Sequence, residues 1–363
     1  MKETKRVFVT DCEGPISKND NAFELTCYFI PQGEKFFTQI SRYDDVLADI
    51  VKRDGYKAGD TLKLIVPFLK AYGVTDRKMM EFSAQTILLI PSAKEALQFL
   101  KEEMPSFIVS TSYEHYIRAL CRVLDFPYEN TYHTTLSIDI FDINEKEQQK
   151  LKEFRQEVCA MPLIEVPAEA KSLQDFSERD QKTIERLDEI FWEGIMQLKS
   201  GAMLEDVNPV GGVEKAKAVK NIVDKTGCDL SSVIYIGDSI TDVECFRLVK
   251  KKGGVTISFN GNAYAVHEAE IAILSTNALV IAVFADVFRR FDRESVVNLV
   301  KSWEHKGLMH FNVSPLLQEM LRNFFPKALP KVSIITKHNM QKLADESRAF
   351  RKRVRGKKVG RLG

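Results

Sequence analysis

The sequence lacks the features that mark most disulfide-bonded, zinc-binding and P-loop proteins. Its six cysteines are scattered and none forms a C-x-x-C pair, which argues against a zinc knuckle and a disulfide framework. The six histidines show no metal-ligand spacing. Neither a P-loop nor a dinucleotide fingerprint is present. The cysteine usage instead fits a reducing cytoplasm.

Long apolar runs and an excess of one charge are also missing. The longest apolar run, residues 278–285, is far short of the about 20 residues that span a bilayer. The opening MKETKRVFVTD has no apolar stretch of signal-peptide length. A net charge of +1 gives no general reason to bind nucleic acid or an anionic membrane. We therefore expect a soluble, cytoplasmic protein with no membrane partner, and we do not expect nucleic acid as a partner.

The chain does contain a short apolar run, residues 7–9, that is followed by two carboxylates. β-Branched and aromatic residues in such a run predict a buried strand. Asp11 and Glu13 follow the run, and Gly14-Pro15 then forces a turn. In open α/β sheets ligands bind at the carboxyl ends of the strands, so both acids are candidates for a functional site. A plain helix N-cap is the alternative for each of them.

An α/β pattern runs through the rest of the chain, interrupted by two mostly helical stretches. Further apolar runs predict strands at 107–109, 233–237, 255–259 and 269–274, with helical patterns between them. The length of 363 residues exceeds that of one typical domain. The pattern predicts an α/β core of residues 1–18, 91–143 and 208–290, a helical cap at 19–90, a helical insertion at 144–207 and a helical C-terminal extension at 291–363.

Polar residues also follow the later strands. Ser110 and Thr111 close the second strand, where the Ser110 hydroxyl and the adjacent N–H groups could hold an anion. An ordinary N-cap is the alternative. Lys215 lies in the first turn of a predicted helix, where a lysine opposes the helix dipole unless an anion binds there. Lys217 and Lys220 lie nearby, so the sequence leaves open which lysine would bind the anion. The alternative for Lys215 is a solvated lysine at the surface.

The most specific stretch is YIGDSITDVECF, residues 235–246. A buried strand ends at Asp238, and Asp242 follows within one turn. Together with Asp11 and Glu13, these acids would converge at one edge of the sheet. Four carboxylates there would repel one another unless a hard cation lies among them. The sequence therefore predicts a divalent-cation site.

The order of the motifs DCEG, FIVSTS, a helix-start lysine and GDSITD resembles the haloacid dehalogenase superfamily of aspartate-nucleophile phosphatases. The resemblance covers residues 6–259 except the second insertion. The runs FIVSTSYEHY, LDFPYENTY and SFNGNA are most similar to its phosphoserine phosphatase branch. The opening DCEGPISKND also resembles an archaeal group labelled energy-converting hydrogenase A subunit R. The implied fold is a Rossmann-like α/β core with a parallel sheet and a C1-type helical cap.

The resemblance implies a catalytic role for the two acids of the first motif. Asp11 would be the nucleophile that forms an aspartyl-phosphate, and Glu13 would be the general acid and base. Mg²⁺ would be bound by Asp11, the backbone carbonyl of Glu13 and Asp238. Asp242 would support either the metal or Lys215.

The resemblance also implies a phosphate-binding set. It comprises four residues: Ser110, Thr111, Lys215 and Asn260. The implied function is Mg²⁺-dependent hydrolysis of a phosphomonoester, with a small phosphorylated metabolite as the substrate. Three residues of the cap are candidates for reading that metabolite: Glu24, Arg42 and Arg53.

Two departures from the family pattern favour an alternative function. The family's second acid is normally Asp, whereas this chain has Glu13, and the position after Gly14 is Pro15 where the family has Thr or Val. A catalytically weak scaffold, acting as a regulatory or assembly subunit, would tolerate both changes. The complete set of the other motif residues favours an enzyme. A serine esterase with Ser239 as nucleophile is disfavoured because no D-x-x-H follows it.

The chain ends in a basic block, residues 351–363, with the sequence RKRVRGKKVGRLG. Blocks of like charge usually repel and remain solvated, which predicts a disordered tail. Docking of the tail to an acidic surface or to nucleic acid is the alternative, and the C-terminal extension could bind a protein partner. On the first interpretation, deletion of the tail leaves turnover within about twofold.

Overall fold

The computed structural model describes residues 5–167, 170–356 and 359–361. One sheet of seven strands lies at its centre, in the order β3-β2-β1-β4-β5-β6-β7. Strands β1 to β6 are parallel, and β7 is antiparallel to β6. The strand order reverses between β1 and β4, and such switch points are where open α/β sheets bind ligands. The strands are β1 Val7–Thr10, β2 Ser106–Tyr113, β3 Thr131–Thr134, β4 Val233–Gly237, β5 Val255–Phe259, β6 Ile271–Leu274 and β7 Lys331–Ile334.

Helices account for most of the remaining described residues. Two further segments, Val46–Val51 and Glu189–Gly194, form π-helical turns that continue helices. The helices are α1 Asn21–Phe29, α2 Gly33–Asp45, α3 Thr61–Ala71, α4 Asp76–Thr86, α5 Ala93–Glu103, α6 Glu114–Leu124, α7 Glu145–Ala160, α8 Glu178–Asp188, α9 Gly201–Asp206, α10 Val213–Thr226, α11 Val243–Lys251, α12 Ala263–Glu268, α13 Leu279–Arg290, α14 Arg293–Lys301, α15 His305–His310, α16 Pro315–Phe324 and α17 Met340–Arg355.

Helices cover both faces of the sheet. Phe8 and Ile108 point to one face and pack against α5, α6 and α13. Val7 and Val9 point to the other face and pack against α10 and α11. A strand buried on both faces has no polar side, which explains why the strands read as continuous apolar runs in the sequence. The predicted Rossmann-like α/β core is confirmed.

The segments predicted as cap and insertion share one apolar core. Phe191 stacks on Tyr43 of α2 with ring centroids 5.8 Å apart, and it meets Phe68 of α3 edge-on at 6.0 Å. Arg53 forms an ion pair with Asp188 at 3.3 Å. The two segments therefore fold as one helical body, although about 50 residues of the α/β core lie between them in the chain. The four-part division of the chain stays a prediction.

The C-terminal extension differs from the predicted all-helical region. Its strand β7 pairs with β6, with Val332 opposite Ile273. The strand KVSI is short and only partly buried, so its sequence carries little of the alternation that marks a strand. Strand β3, with the sequence TYHT, was missed for the same reason. Among the described residues, every helix is too short or too polar to cross a membrane.

Candidate active site

The turn after β1 brings Asp11 beside the end of β4. The Asp11 N–H donates to the carbonyl of Ile236 at 2.8 Å, and the Asp11 Oδ1 accepts from the N–H of Cys12 at 2.7 Å. Gly14 has a φ of +110°, and a Cβ added there would lie 2.2 Å from the Asp238 carboxylate. Only glycine allows that conformation and that approach, so Gly14 lets the first motif close on the third.

Lys215, in the first turn of α10, lies in the middle of the site. Its side chain is 0% exposed, and Nζ lies 2.9 Å from Asp11 Oδ2 and 2.7 Å from Asp242 Oδ1. Burial alone would lower the pKa of Lys215, but the two carboxylates outweigh burial and raise it. Lys217 instead pairs with Glu214 at the surface. The geometry therefore selects Lys215 over its neighbours as the lysine of the site.

Asp242 is a fully engaged hydrogen-bond acceptor. Its Oδ1 accepts from Lys215 and from the Tyr235 hydroxyl, each at 2.7 Å. Its Oδ2 accepts from the N–H groups of Asp238 at 2.9 Å and Ser239 at 3.0 Å. Each oxygen thus already has at least two donors, and the Ser239 hydroxyl is a third donor to Oδ2. Of the two roles that the sequence left open, this arrangement favours support of Lys215 over direct metal binding.

The described residues include a carboxylate cluster suited to a cation. Asp11, Asp238 and Asp242 each place one oxygen within 4.8 Å of the other two. Burial and the nearby charges of Asp242 and Asp238 together raise the pKa of Asp11 to about 7, although the Lys215 ammonium opposes the rise. A hard divalent cation takes oxygen ligands and would relieve this repulsion. The carboxylates of Asp11 and Asp238 therefore fit Mg²⁺, while Asp242 supports Lys215 beside them.

Glu13 lines the same pocket as Asp11. Its Oε1 accepts from the N–H of Asn21, the first residue of α1, at 2.8 Å. Burial, with the nearby charge of Asp20, raises the pKa of Glu13 well above its ordinary value. This shift favours the protonated form of the side chain, which is the form that a general acid needs.

The hydroxyl side chains in the second half of β2, at Ser110, Thr111 and Ser112, also line this pocket. The buried Ser110 Oγ lies 3.1 Å from Ser112 Oγ and accepts from the Ser112 N–H at 3.2 Å. The buried Thr111 Oγ1 has no hydrogen-bond partner among the described residues. Hydroxyl donors beside Asp11 suit an anion, and the assignment of Ser110 and Thr111 to phosphate binding stays a prediction.

Asn260 lies outside the lining of the pocket around Asp11. Its Nδ2 donates to the carbonyl of Ser275 at 2.7 Å, and its Oδ1 accepts from the Ser275 N–H at 3.0 Å. The side chain is buried, and both ends of its amide are committed to this backbone. The side chain joins the loops after β5 and β6 and does not line the pocket around Asp11, so none of these contacts supports phosphate binding, and that assignment stays a prediction.

Two arginines that the sequence assigned to a solvated tail lie in the site. Arg351 and Arg355, in the last turns of α17, are 4% and 9% exposed. Both donate to Asp238 Oδ2, Arg355 at 3.1 Å. Arg355 also donates to the carbonyls of Lys18, at 3.1 Å, and Asn19. The predicted solvation of the basic block is therefore wrong for these two residues.

A weak sequence signal for this pair exists. Residues four apart lie on the same face of a helix, so the spacing of Arg351 and Arg355 could have linked them. The sequence does not tell which face of α17 is buried, because Arg348 and Arg353 on the same helix are exposed. Lys357 and Lys358 of the block lie outside the described residues.

The cap residues proposed as substrate readers are mostly committed elsewhere. Glu24 accepts from the Asn19 side chain at 2.8 and 3.0 Å, and Arg53 pairs with Asp188. Neither lines the pocket around Asp11. Arg42 lines the neighbouring cavity, which shares Arg351 with that pocket. Of the three candidates, only Arg42 lines a cavity that adjoins the pocket around Asp11.

The haloacid dehalogenase-like hydrolase family model matches residues 91–284, which include Lys215 and Asp238. The chain belongs to this family. The predicted superfamily and the predicted hydrolase class are thus confirmed. No curated protein matches the chain. The narrower resemblance to the archaeal hydrogenase-subunit group stays a prediction.

Solved structures similar to this chain include one with the same overall architecture. The gene product AF1437 from Archaeoglobus fulgidus is 27% identical with a TM-score of 0.80, and the match covers 99% of each chain. That likeness therefore includes the C-terminal extension. Phosphoserine phosphatase in its apo form is 14% identical with a TM-score of 0.46, over 77% of this chain and 98% of that one. The substrate-bound phosphoserine phosphatase complex is 14% identical with a TM-score of 0.47, again over 77% of this chain and 98% of that one.

Loss of the Lys215 charge is expected to destabilise the fold. Lys215→Met keeps the length of the side chain but leaves Asp11 and Asp242 buried without their cation. Breaking a buried pair in this way costs about 3–5 kcal/mol of unfolding free energy. Urea unfolding measures the loss, and Lys217→Met is the matched surface control, expected to change little. Equal stability of the two variants would contradict the buried ion network.

Proposed function

We propose that the protein is a Mg²⁺-dependent phosphatase that hydrolyses a small phosphomonoester through an aspartyl-phosphate on Asp11. One observation carries the proposal. Asp11, which follows β1 and lies beside Asp238, is 2.9 Å from the buried ammonium of Lys215. The pocket that it faces has a volume of about 120 Å³, which suits a small substrate.

Electrostatics explains why the nucleophile needs this setting. A carboxylate about 4 Å from a phosphate dianion is repelled by roughly 8 kcal/mol at an effective dielectric of about 20. A single hydrogen bond contributes about 1 kcal/mol, or about 3 with a charged partner, and cannot offset that repulsion. Mg²⁺ held by Asp11, Asp238 and the Glu13 carbonyl would neutralise charge on the phosphoryl oxygens. Lys215 supplies a further positive charge at Asp11.

The residues divide the reaction into two displacements. An Asp11 carboxylate oxygen attacks phosphorus, and the bond from phosphorus to the leaving oxygen breaks as Glu13 donates its proton to that oxygen. The Glu13 carboxylate then takes a proton from water, which attacks the same phosphorus and releases Asp11 and phosphate. Asp242 holds Lys215 in place for both steps, since its Oδ1 accepts from the Lys215 ammonium and is itself fixed by the Tyr235 hydroxyl.

The proposal is tested with the purified protein and an aryl phosphate. Turnover is expected in MgCl₂, loss of turnover in EDTA, and recovery when MgCl₂ is restored. A panel of phosphorylated metabolites then ranks the substrates by kcat/KM. If neither the aryl phosphate nor any metabolite is hydrolysed at any MgCl₂ concentration, the phosphatase assignment is wrong and the scaffold alternative gains support.

Glu13→Gln is expected to separate substrates by their leaving groups. The amide cannot donate or take the proton, so esters with poor leaving groups should lose roughly 10²–10⁴-fold in rate. Activated aryl phosphates need little protonation and should lose much less in the first step. The measurement is kcat/KM for a matched series of alkyl and aryl phosphates. Equal losses across the series would show that Glu13 acts by position alone.

A further inference from the structure

We propose that the C-terminal helix α17 is part of the active site, with Arg351 and Arg355 as positioning residues that hold Asp238 for the divalent cation. The inference rests on the proposed function, because it assigns Asp238 to cation binding. The proposal gives a role in the site to a segment that lies after all of the sequence motifs.

The helix is anchored beside the site by contacts that do not involve the arginines. The buried Ser347 hydroxyl donates to the carbonyl of Gly261 at 2.6 Å. Leu343 and Ala344 pack against Val266 and Ala272 in a small apolar cluster. Since these contacts lie one to three turns before the arginines, the helix has its own means of docking. The arginines are thus available to act on Asp238.

Both guanidinium groups converge on one oxygen of Asp238. Arg351 donates to Oδ2 and, at 3.3 Å, to the backbone carbonyl of the same residue. Arg355 donates to Oδ2 at 3.1 Å and is itself fixed to the carbonyls of Lys18 and Asn19. Lys18 and Asn19 follow the Asp11 motif directly. Arg355 therefore joins α17, the end of β4 and the loop after β1.

This arrangement can orient a metal ligand. The side-chain contacts of Asp238 among the described residues fall on Oδ2, which leaves Oδ1 to a cation. Carboxylates that bind a metal are usually held by such outer hydrogen bonds, and removing one typically costs 10–100-fold in metal affinity or activity. The two positive charges also offset the charge of Asp20, which lines the same pocket.

The test measures Mg²⁺ binding apart from turnover, by calorimetric titration of the full-length protein with MgCl₂ alone. We expect Arg351→Gln and Arg355→Gln each to weaken Mg²⁺ binding about tenfold. Arg355→Lys keeps the charge but cannot bridge three acceptors, so it should weaken binding as Arg355→Gln does. Arg353→Gln removes an exposed charge from the same turn and should stay within twofold of the unchanged protein.

The outcomes separate the possible roles. Unchanged Mg²⁺ affinity in both glutamine variants would show that α17 only packs on the core. Tighter binding would show that the arginines compete with the cation, and full recovery in Arg355→Lys would show that charge alone matters; each result overturns the proposal. Arg351 contacts Asp238 without tying other segments, so Arg351→Gln decides the question if Arg355→Gln fails to fold. Mg²⁺ binding without any phosphatase turnover would leave this inference standing while the proposed function fails.

Discussion

Asp11→Asn is expected to abolish turnover while the protein stays folded. The amide is nearly the same size as the carboxylate, but it is not a nucleophile and is a poor ligand for Mg²⁺. Removal of a nucleophile that acts with a general acid typically lowers kcat by about 10⁴- to 10⁶-fold. Lys215 keeps its contact with Asp242 at 2.7 Å, so the ion network is reduced but not lost.

The measurement combines activity with a direct search for the intermediate. Turnover of an aryl phosphate in MgCl₂ gives the rate, and mass spectrometry after acid quenching detects phosphorylated Asp11 in the unchanged protein. Asp142→Asn, at an exposed position, is the matched control and should keep full activity. Wild-type turnover in Asp11→Asn would overturn the aspartyl-phosphate mechanism.

Deletion of residues 351–363 is expected to reduce turnover more than tenfold and to lower the melting temperature. The deletion removes both arginines and leaves Asp238 buried without its cationic partners. An uncompensated buried charge costs about 3–5 kcal/mol. The loss of turnover follows because outer hydrogen bonds to a metal-binding carboxylate contribute about 10–100-fold. This expectation replaces the near-neutral effect that the sequence alone predicts for a solvated tail.

A charge-matched control distinguishes the buried arginines from basic charge in general. The double variant Arg348→Gln and Arg353→Gln removes two exposed cations from α17 and leaves Arg351 and Arg355 in place. It should keep both the turnover and the melting temperature of the unchanged protein. Truncated protein with full activity in MgCl₂ would show that Arg351 and Arg355 play no part in the site.

The local features of the site were predictable because they depend on short stretches of chain. The apolar run at β1 and the turn at Gly14 place Asp11 at the end of a buried strand whatever lies elsewhere. Lys215 in a first helical turn and Asp238 at a strand end follow from the same kind of pattern. Parallel strands bring their carboxyl ends to one edge, so the sequence by itself determined the α/β class and the meeting of these residues.

Only the tertiary structure decided which of several similar side chains forms a long-range contact. Arg351 reaches a carboxylate 113 positions earlier in the chain, whereas Arg353 on the same helix is exposed. The Asn260 side chain hydrogen-bonds to the backbone of Ser275, and no local sequence pattern predicts this contact. The reason is energetic: burying a guanidinium is unfavourable unless a carboxylate lies within reach. Whether a carboxylate lies within reach depends on how distant segments pack. The residues next to the arginine in the sequence do not indicate this packing.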